Sequence, residues 1–272
     1  MGEDGGSPTS RSTTISRKRQ PEANQAPVVQ RIRIRYAKRG PMRFTSHRDF
    51  ARALERAVRR GGVPIAYSQG FTPHPKISYA SAAPTGVASE AEYLEVGLAA
   101  RVDPDRLKQA LDASLSPGLD ILDAVEATGG DSLADRIDAS HWRVELPGVE
   151  PDELRRAVAA FEAATEVPVE RLTKQGRRTF DVRQAVARIA ADGAAREVEQ
   201  VTCAILDLVV RQVTPSVRPD DVLFGLRVVA DLVPPVPPRA TRLAQGTLTA
   251  DGEIVDPLAA DRDRAVTGIS AG

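Results

Sequence analysis

Two stretches of the chain concentrate side chains that bind anions or move protons: Arg43-Phe-Thr-Ser-His-Arg-Asp49 and Tyr67-Ser-Gln-Gly-Phe-Thr-Pro-His-Pro-Lys76. They hold two of the three histidines. Imidazole titrates near neutrality, so His47 and His74, with Asp49 beside the first, are the candidate acid–base groups. The first stretch enters a helix, where unpaired backbone N–H groups and the helix dipole favour an anion and Arg43 and Arg48 add charged donors. The second is a loop: Gly70 permits unusual dihedrals, and Pro73 and Pro75 fix the backbone on either side of His74. The expected anion-binding set is Arg43, Ser46, His47, Arg48, Tyr67, Ser68, Gln69, Gly70, His74 and Lys76, gathered around one pocket at the start of the first helix. The plainer alternatives are that His47 bonds a backbone carbonyl at the helix start and that His74 is a solvated connector. No metal or cofactor is assigned.

The elements that must position these groups are legible from periodicity. In Val-Gln-Arg-Ile-Arg-Ile-Arg-Tyr36, Ile32, Ile34 and Tyr36 alternate with Arg31, Arg33 and Arg35, which reads as a strand with an arginine-lined outer face. After Ser46, a candidate N-cap, Phe50, Ala53, Leu54, Ala57 and Val58 recur at helical spacing until Gly61-Gly62. Arg52 and Arg56 lie on that helix, and with Arg31, Arg33 and Arg35 they form a candidate RNA-binding set. Residues 1–80 carry 16 Lys/Arg against 5 Asp/Glu, and residues 81–150 carry 5 against 14. Such segregation points either to a cationic face for an anionic partner or to two blocks that pair within the fold.

Strands are expected at Val63–Tyr67 and Tyr93–Leu98, with a short extended piece at Lys76–Ala80, a helix opened by Asp103-Pro104 and a strand at Leu119–Val125. The second half repeats the order: a strand at His141–Leu146, a helix at Pro151–Ala164, strands at Val167–Thr173 and Thr202–Gln212, a helix at Pro219–Ala230 and a strand at Ala240–Leu248. A helical insert is expected at Val182–Ala190. The fold class is therefore α+β, two tandem ferredoxin-like βαββαβ domains. Their bounds are 29–128 and 141–250, with a disordered arm at 1–28, a linker at 129–140 and a loose tail at 251–272. No apolar run approaches the roughly 20 residues that span a bilayer, so a cytoplasmic protein without membrane contact is expected. The single cysteine, Cys203, excludes an internal disulfide and a cysteine-held cluster.

Three segments, Lys38-Arg-Gly-Pro-Met-Arg-Phe-Thr-Ser-His-Arg-Asp49, Ala66-Tyr-Ser-Gln-Gly-Phe-Thr-Pro-His-Pro-Lys-Ile-Ser78 and Pro84-Thr-Gly-Val-Ala-Ser-Glu-Ala-Glu-Tyr93, resemble the radical-SAM-linked protein family. The resemblance continues more weakly through Val217-Arg-Pro-Asp-Asp221 and Arg239–Gly246. That family is an uncharacterised domain found beside, or fused to, radical S-adenosylmethionine proteins, so the resemblance implies a separate radical-SAM protein as partner. One departure is His47-Arg-Asp, where the family often has His-Leu-Asp. The functional expectation is an accessory protein that binds RNA or another anion at the cationic, histidine-containing site. Two alternatives stand beside it: an enzyme or small-ligand protein using His47 and His74, and a pure protein adaptor.

Overall fold

The computed structural model describes residues 26–69, 71–173, 176–198 and 201–269. The first half comprises β1 (Gln30–Lys38), α1 (His47–Arg60), β2 (Ile77–Ala80), β3 (Ala88–Leu98), α2 (Pro104–Asp112) and β4 (Ile121–Glu126). The second comprises β5 (Ala139–Pro147), α3 (Pro151–Ala163), β6 (Pro168–Thr173), β7 (Gly176–Asp181), β8 (Val186–Val198), β9 (Val201–Arg211), α4 (Pro219–Ala230) and β10 (Arg239–Leu248), followed by β11 (Ile254–Val255) and α5 (Ala259–Ile269). The fold is mixed α+β around one large, mostly antiparallel sheet, ordered β4-β1-β3-β10-β5-β9-β8, with β2 on β3 and β11 on β10. Counting only the strands of the large sheet, both halves repeat one order, fourth-first-third-second, and every neighbour within a half is antiparallel. The halves meet at a short parallel ladder, Ala88 with Thr241 and Ser89 with Arg242.

Each half buries its own core. Ile32, Ile34 and Tyr36 of β1 pack with Phe50, Leu54 and Ala57 of α1 and with Leu107 and Leu111 of α2. Val144 and Leu146 of β5 pack with Leu154 and Phe161 of α3 and with Val222 and Leu226 of α4. A smaller cluster of Tyr93, Val125, Leu133, Ile137 and Leu258 draws in segments outside the two repeats. No helix among the described residues is long and apolar enough to cross a membrane.

Several sequence expectations give way here. Val63–Tyr67 is not a ladder strand: it makes isolated bridges, Ile65 to Leu98 and Tyr67 to Pro75, because Pro64 has no N–H to donate. Ile77–Ala80 takes the sheet position instead. The helical insert at Val182–Ala190 is largely strand β8; its alanines favour a helix, but pairing with the apolar β9 overrides that preference. The strand at 168–173 forms with β7 a separate two-stranded ribbon. The linker at 129–140 buries Leu133 and Ile137. The tail is not loose: Leu258 and Asp261 are both fully buried. Most of the arm at 1–28, and Gly70, lie outside the described residues.

Ser46 caps α1 as its residue type dictates, accepting a hydrogen bond from the Asp49 backbone N–H at 3.2 Å and donating to the Asp49 carboxylate at 2.6 Å. Ser46→Ala is expected to cost about 1 kcal/mol of stability, read as a lower urea midpoint at unchanged slope.

Candidate anion-binding site

The first turn of α1 is fastened to the sheet by rings. Phe50 stacks on Tyr36 at 4.2 Å, and His47 meets the Tyr79 ring edge-on at 4.7 Å. His47 is therefore held by β2 while staying exposed. His74 sits on a hairpin-like excursion: Tyr67 bridges to Pro75, the Ser68 N–H donates to the His74 carbonyl at 2.8 Å, and the His74 N–H donates to Ser68 Oγ at 3.0 Å. Gln69, His74 and Lys76 are exposed on it, and Phe71 is 74% exposed. Arg43 lies over the Phe44 ring at 4.6 Å and lines a cleft of about 790 Å³ against Pro235–Pro238 that includes neither histidine. Among the described residues no hydrogen bond or ring contact joins His47, His74 and Arg43 to one another; His47, Arg48, Gln69, His74 and Lys76 are exposed, and Arg43, Ser46, Tyr67 and Ser68 are half-buried. No group of three or more His, Cys, Asp or Glu among the described residues could hold a metal ion.

The segregated charge resolves into two populations. The β1 arginines are answered from within the fold: Arg31 and Arg33 pair with Glu95 at 2.8 and 3.0 Å, and Arg35 lies 3.7 Å from Asp256. Arg33 is only 1% exposed and also pairs with Asp261 of α5 at 2.7 Å. The expected arginine-lined outer face is thus corrected, because the C-terminal segment covers it and takes Arg33 and much of Arg35 out of reach of a partner. Four of the five α1 arginines are unanswered among the described residues. Arg48, Arg52, Arg56 and Arg60 are exposed at four-residue intervals, and among the described residues none takes part in an ion pair or a side-chain hydrogen bond. Their neighbour Arg59 reaches only Glu55, at 4.0 Å. A like-charged pair at that spacing costs about 0.2–0.5 kcal/mol, and three successive pairs are retained.

Sequence reading missed a buried polar knot that shapes the segment 81–92. Lys38 Nζ donates to the carbonyls of Ala83 and Pro84 at 3.3 and 3.2 Å, and Glu92 accepts from the Ala83 N–H at 3.0 Å and from Arg242. Burial holds the Lys38 ammonium below the usual lysine range, with Glu92 opposing that shift and Arg242 adding to it. Glu92 was visible as a charge inside an apolar strand. Its partner Arg242, 150 positions away, was not. The third histidine, His141, lies 2.6 Å from Asp207, whose other oxygen takes Arg188 at 3.2 Å. Burial pushes the Asp207 carboxyl up, and the bonds from His141 and Arg188 outweigh it and leave it below the usual range.

The molecule is thus an α+β protein built on one large sheet and a small two-stranded ribbon, with a cationic helix and an exposed loop on its first half. The chain matches the family described as uncharacterised proteins conserved in bacteria, DUF2344, over residues 31–219, more than half of its length, and it belongs to that family. No curated protein matches it. A solved structure titled as an unknown protein from Galdieria sulphuraria is 14% identical over 74% of this chain and 92% of that chain, with a TM-score of 0.23.

Proposed function

We propose that the chain is a cytoplasmic accessory protein that docks on RNA through its first half, with phosphates on the α1 arginines and bases against the exposed 68–76 loop. The observation that carries the reading is the set Arg48, Arg52, Arg56 and Arg60, exposed, unanswered and aligned by helical spacing while the β1 arginines are neutralised. Successive members rise about 6 Å along the axis, so they form a stripe and not a point charge. Phe71, exposed on the loop, offers a face on which an unpaired base stacks, a contact worth about 1–3 kcal/mol. The shared strand order of the halves supports reading each as a ferredoxin-like unit, and the resemblance to radical-SAM-linked proteins supports a radical-SAM enzyme as the partner that supplies the chemistry.

The test is a triple replacement, Arg52→Gln, Arg56→Gln and Arg60→Gln, assayed on a single-stranded RNA across a salt series. The slope of log affinity against log salt should shrink by about 2, since each lost phosphate contact removes about 0.7. Stability should hold or rise, because repulsion along α1 is relieved. An unchanged slope overturns the assignment. Absence of RNA affinity at low salt, with the partner present, leaves the adaptor reading in its place.

A further inference from the structure

Beside the parallel ladder that joins β3 to β10 lies a cleft of about 360 Å³, within the size range of small-molecule sites. Three segments that the RNA reading leaves unused meet around it: the 81–87 loop, the 210–220 connection into α4 and the start of β10. Its walls are apolar where Trp142 and Val217 pack into the core of the second half. One guanidinium enters that apolar surround: Arg242, whose side chain is 4% exposed, lies 5.5 Å from the Trp142 ring centroid. Its Nη2 donates to Glu92 and its Nε to Ser89 Oγ at 3.4 Å. Among the described residues Nη1 has no partner, although Arg242 lines the cleft.

The charge around Arg242 is out of balance. Glu92 is the one carboxylate of the knot, and it faces two buried cations, Lys38 and Arg242. Its second oxygen is already occupied by the Ala83 N–H. At the rim Arg211 and Arg218 outnumber Asp220, and all three are exposed. A buried, uncompensated positive charge is expensive unless something negative answers it. We propose that this cleft binds a small organic anion, with a carboxylate accepting from Arg242 Nη1 and a flat apolar body against Trp142. The site is separate from the α1 stripe and stands whether or not RNA binds there.

Trp142 is the only tryptophan of the chain, so its emission reports on this cleft directly. The full-length protein is titrated with 4-nitrobenzoate, which quenches tryptophan, and with its neutral analogue 4-nitrobenzamide. Saturable quenching by the anion, at least tenfold tighter than by the amide, is expected, because a charge-assisted hydrogen bond separates the two probes. Arg242→Lys should remove about that tenfold while keeping a cation beside Glu92. Ala240→Val, which narrows the cleft from a partly buried strand position, should weaken both probes and leaves the test intact if the lysine variant does not fold. Quenching that rises linearly without saturation, or saturates equally for anion and amide, overturns the proposal.

Discussion

Asp261→Ala is expected to destabilise the protein by about 3–5 kcal/mol, measured by denaturant unfolding, because it removes the buried carboxylate that Arg33 and Arg136 share and leaves Arg33 with Glu95 as its remaining carboxylate. Asp261 is fully buried and holds Arg33 and Arg136, each at 2.7 Å, through one oxygen. Its other oxygen accepts from the Thr128 N–H and hydroxyl, both at 3.0 Å. Burial alone would raise this carboxyl, but the Thr128 bonds and the Arg33 guanidinium overcome it and hold it below the usual range. A folded pKa depressed in this way gives stability that is complete above the unfolded value of roughly 3.9 and is lost as pH falls through the folded value. The acid limb of the stability curve should accordingly be shallower in Asp261→Ala than in the parent. An alanine variant within about 1 kcal/mol of the parent, with an unchanged acid limb, would show that the C-terminal helix is not anchored as described.

The second large effect is expected at Glu92. Glu92→Ala leaves Arg242 and Lys38 as neighbouring buried cations with no counter-charge and removes the acceptor for the Ala83 N–H, so a loss of about 3–5 kcal/mol is expected. Glu92→Gln keeps the shape and an acceptor oxygen, and it should lose clearly less. Equal losses in the two variants would indicate that side-chain shape, and not charge, holds the knot.

The elements most legible in the sequence are those governed by local signals. Ser46 and Asp103 cap their helices, Pro151 and Pro219 open theirs, and the alternation at Ile32, Ile34 and Tyr36 marks a buried strand face. What local signals could not carry was decided by distant partners. Arg33 looked solvated because alternation assigns it to the outer face, yet its carboxylates come from Glu95 and from Asp261, 228 positions away. The same ambiguity hid the tail: residues 251–269 lack a periodic apolar stripe, and they are held by Leu258 and by ion pairs to β1 and β4. For the candidate site, the sequence identified the cationic helix and the loop. How the loop is closed was not legible, because the Tyr67–Pro75 bridge joins two residues that carry no pairing signal in the sequence.

The short ladder between β3 and β10 also sets a schedule for synthesis. β2 covers β3 from Tyr93 to Val96, but Ala88 and Ser89 wait for Thr241 and Arg242, which leave the ribosome about 150 residues later. At about 5–20 residues per second that interval is roughly 8–30 s, during which the N-terminal half presents an unpaired sheet edge. Glu92 on that edge strand and Lys38 beside it on β1 keep the edge polar and poorly suited to pairing with another nascent chain. The same residues that fix the join in the finished protein therefore protect the edge before its partner strand exists.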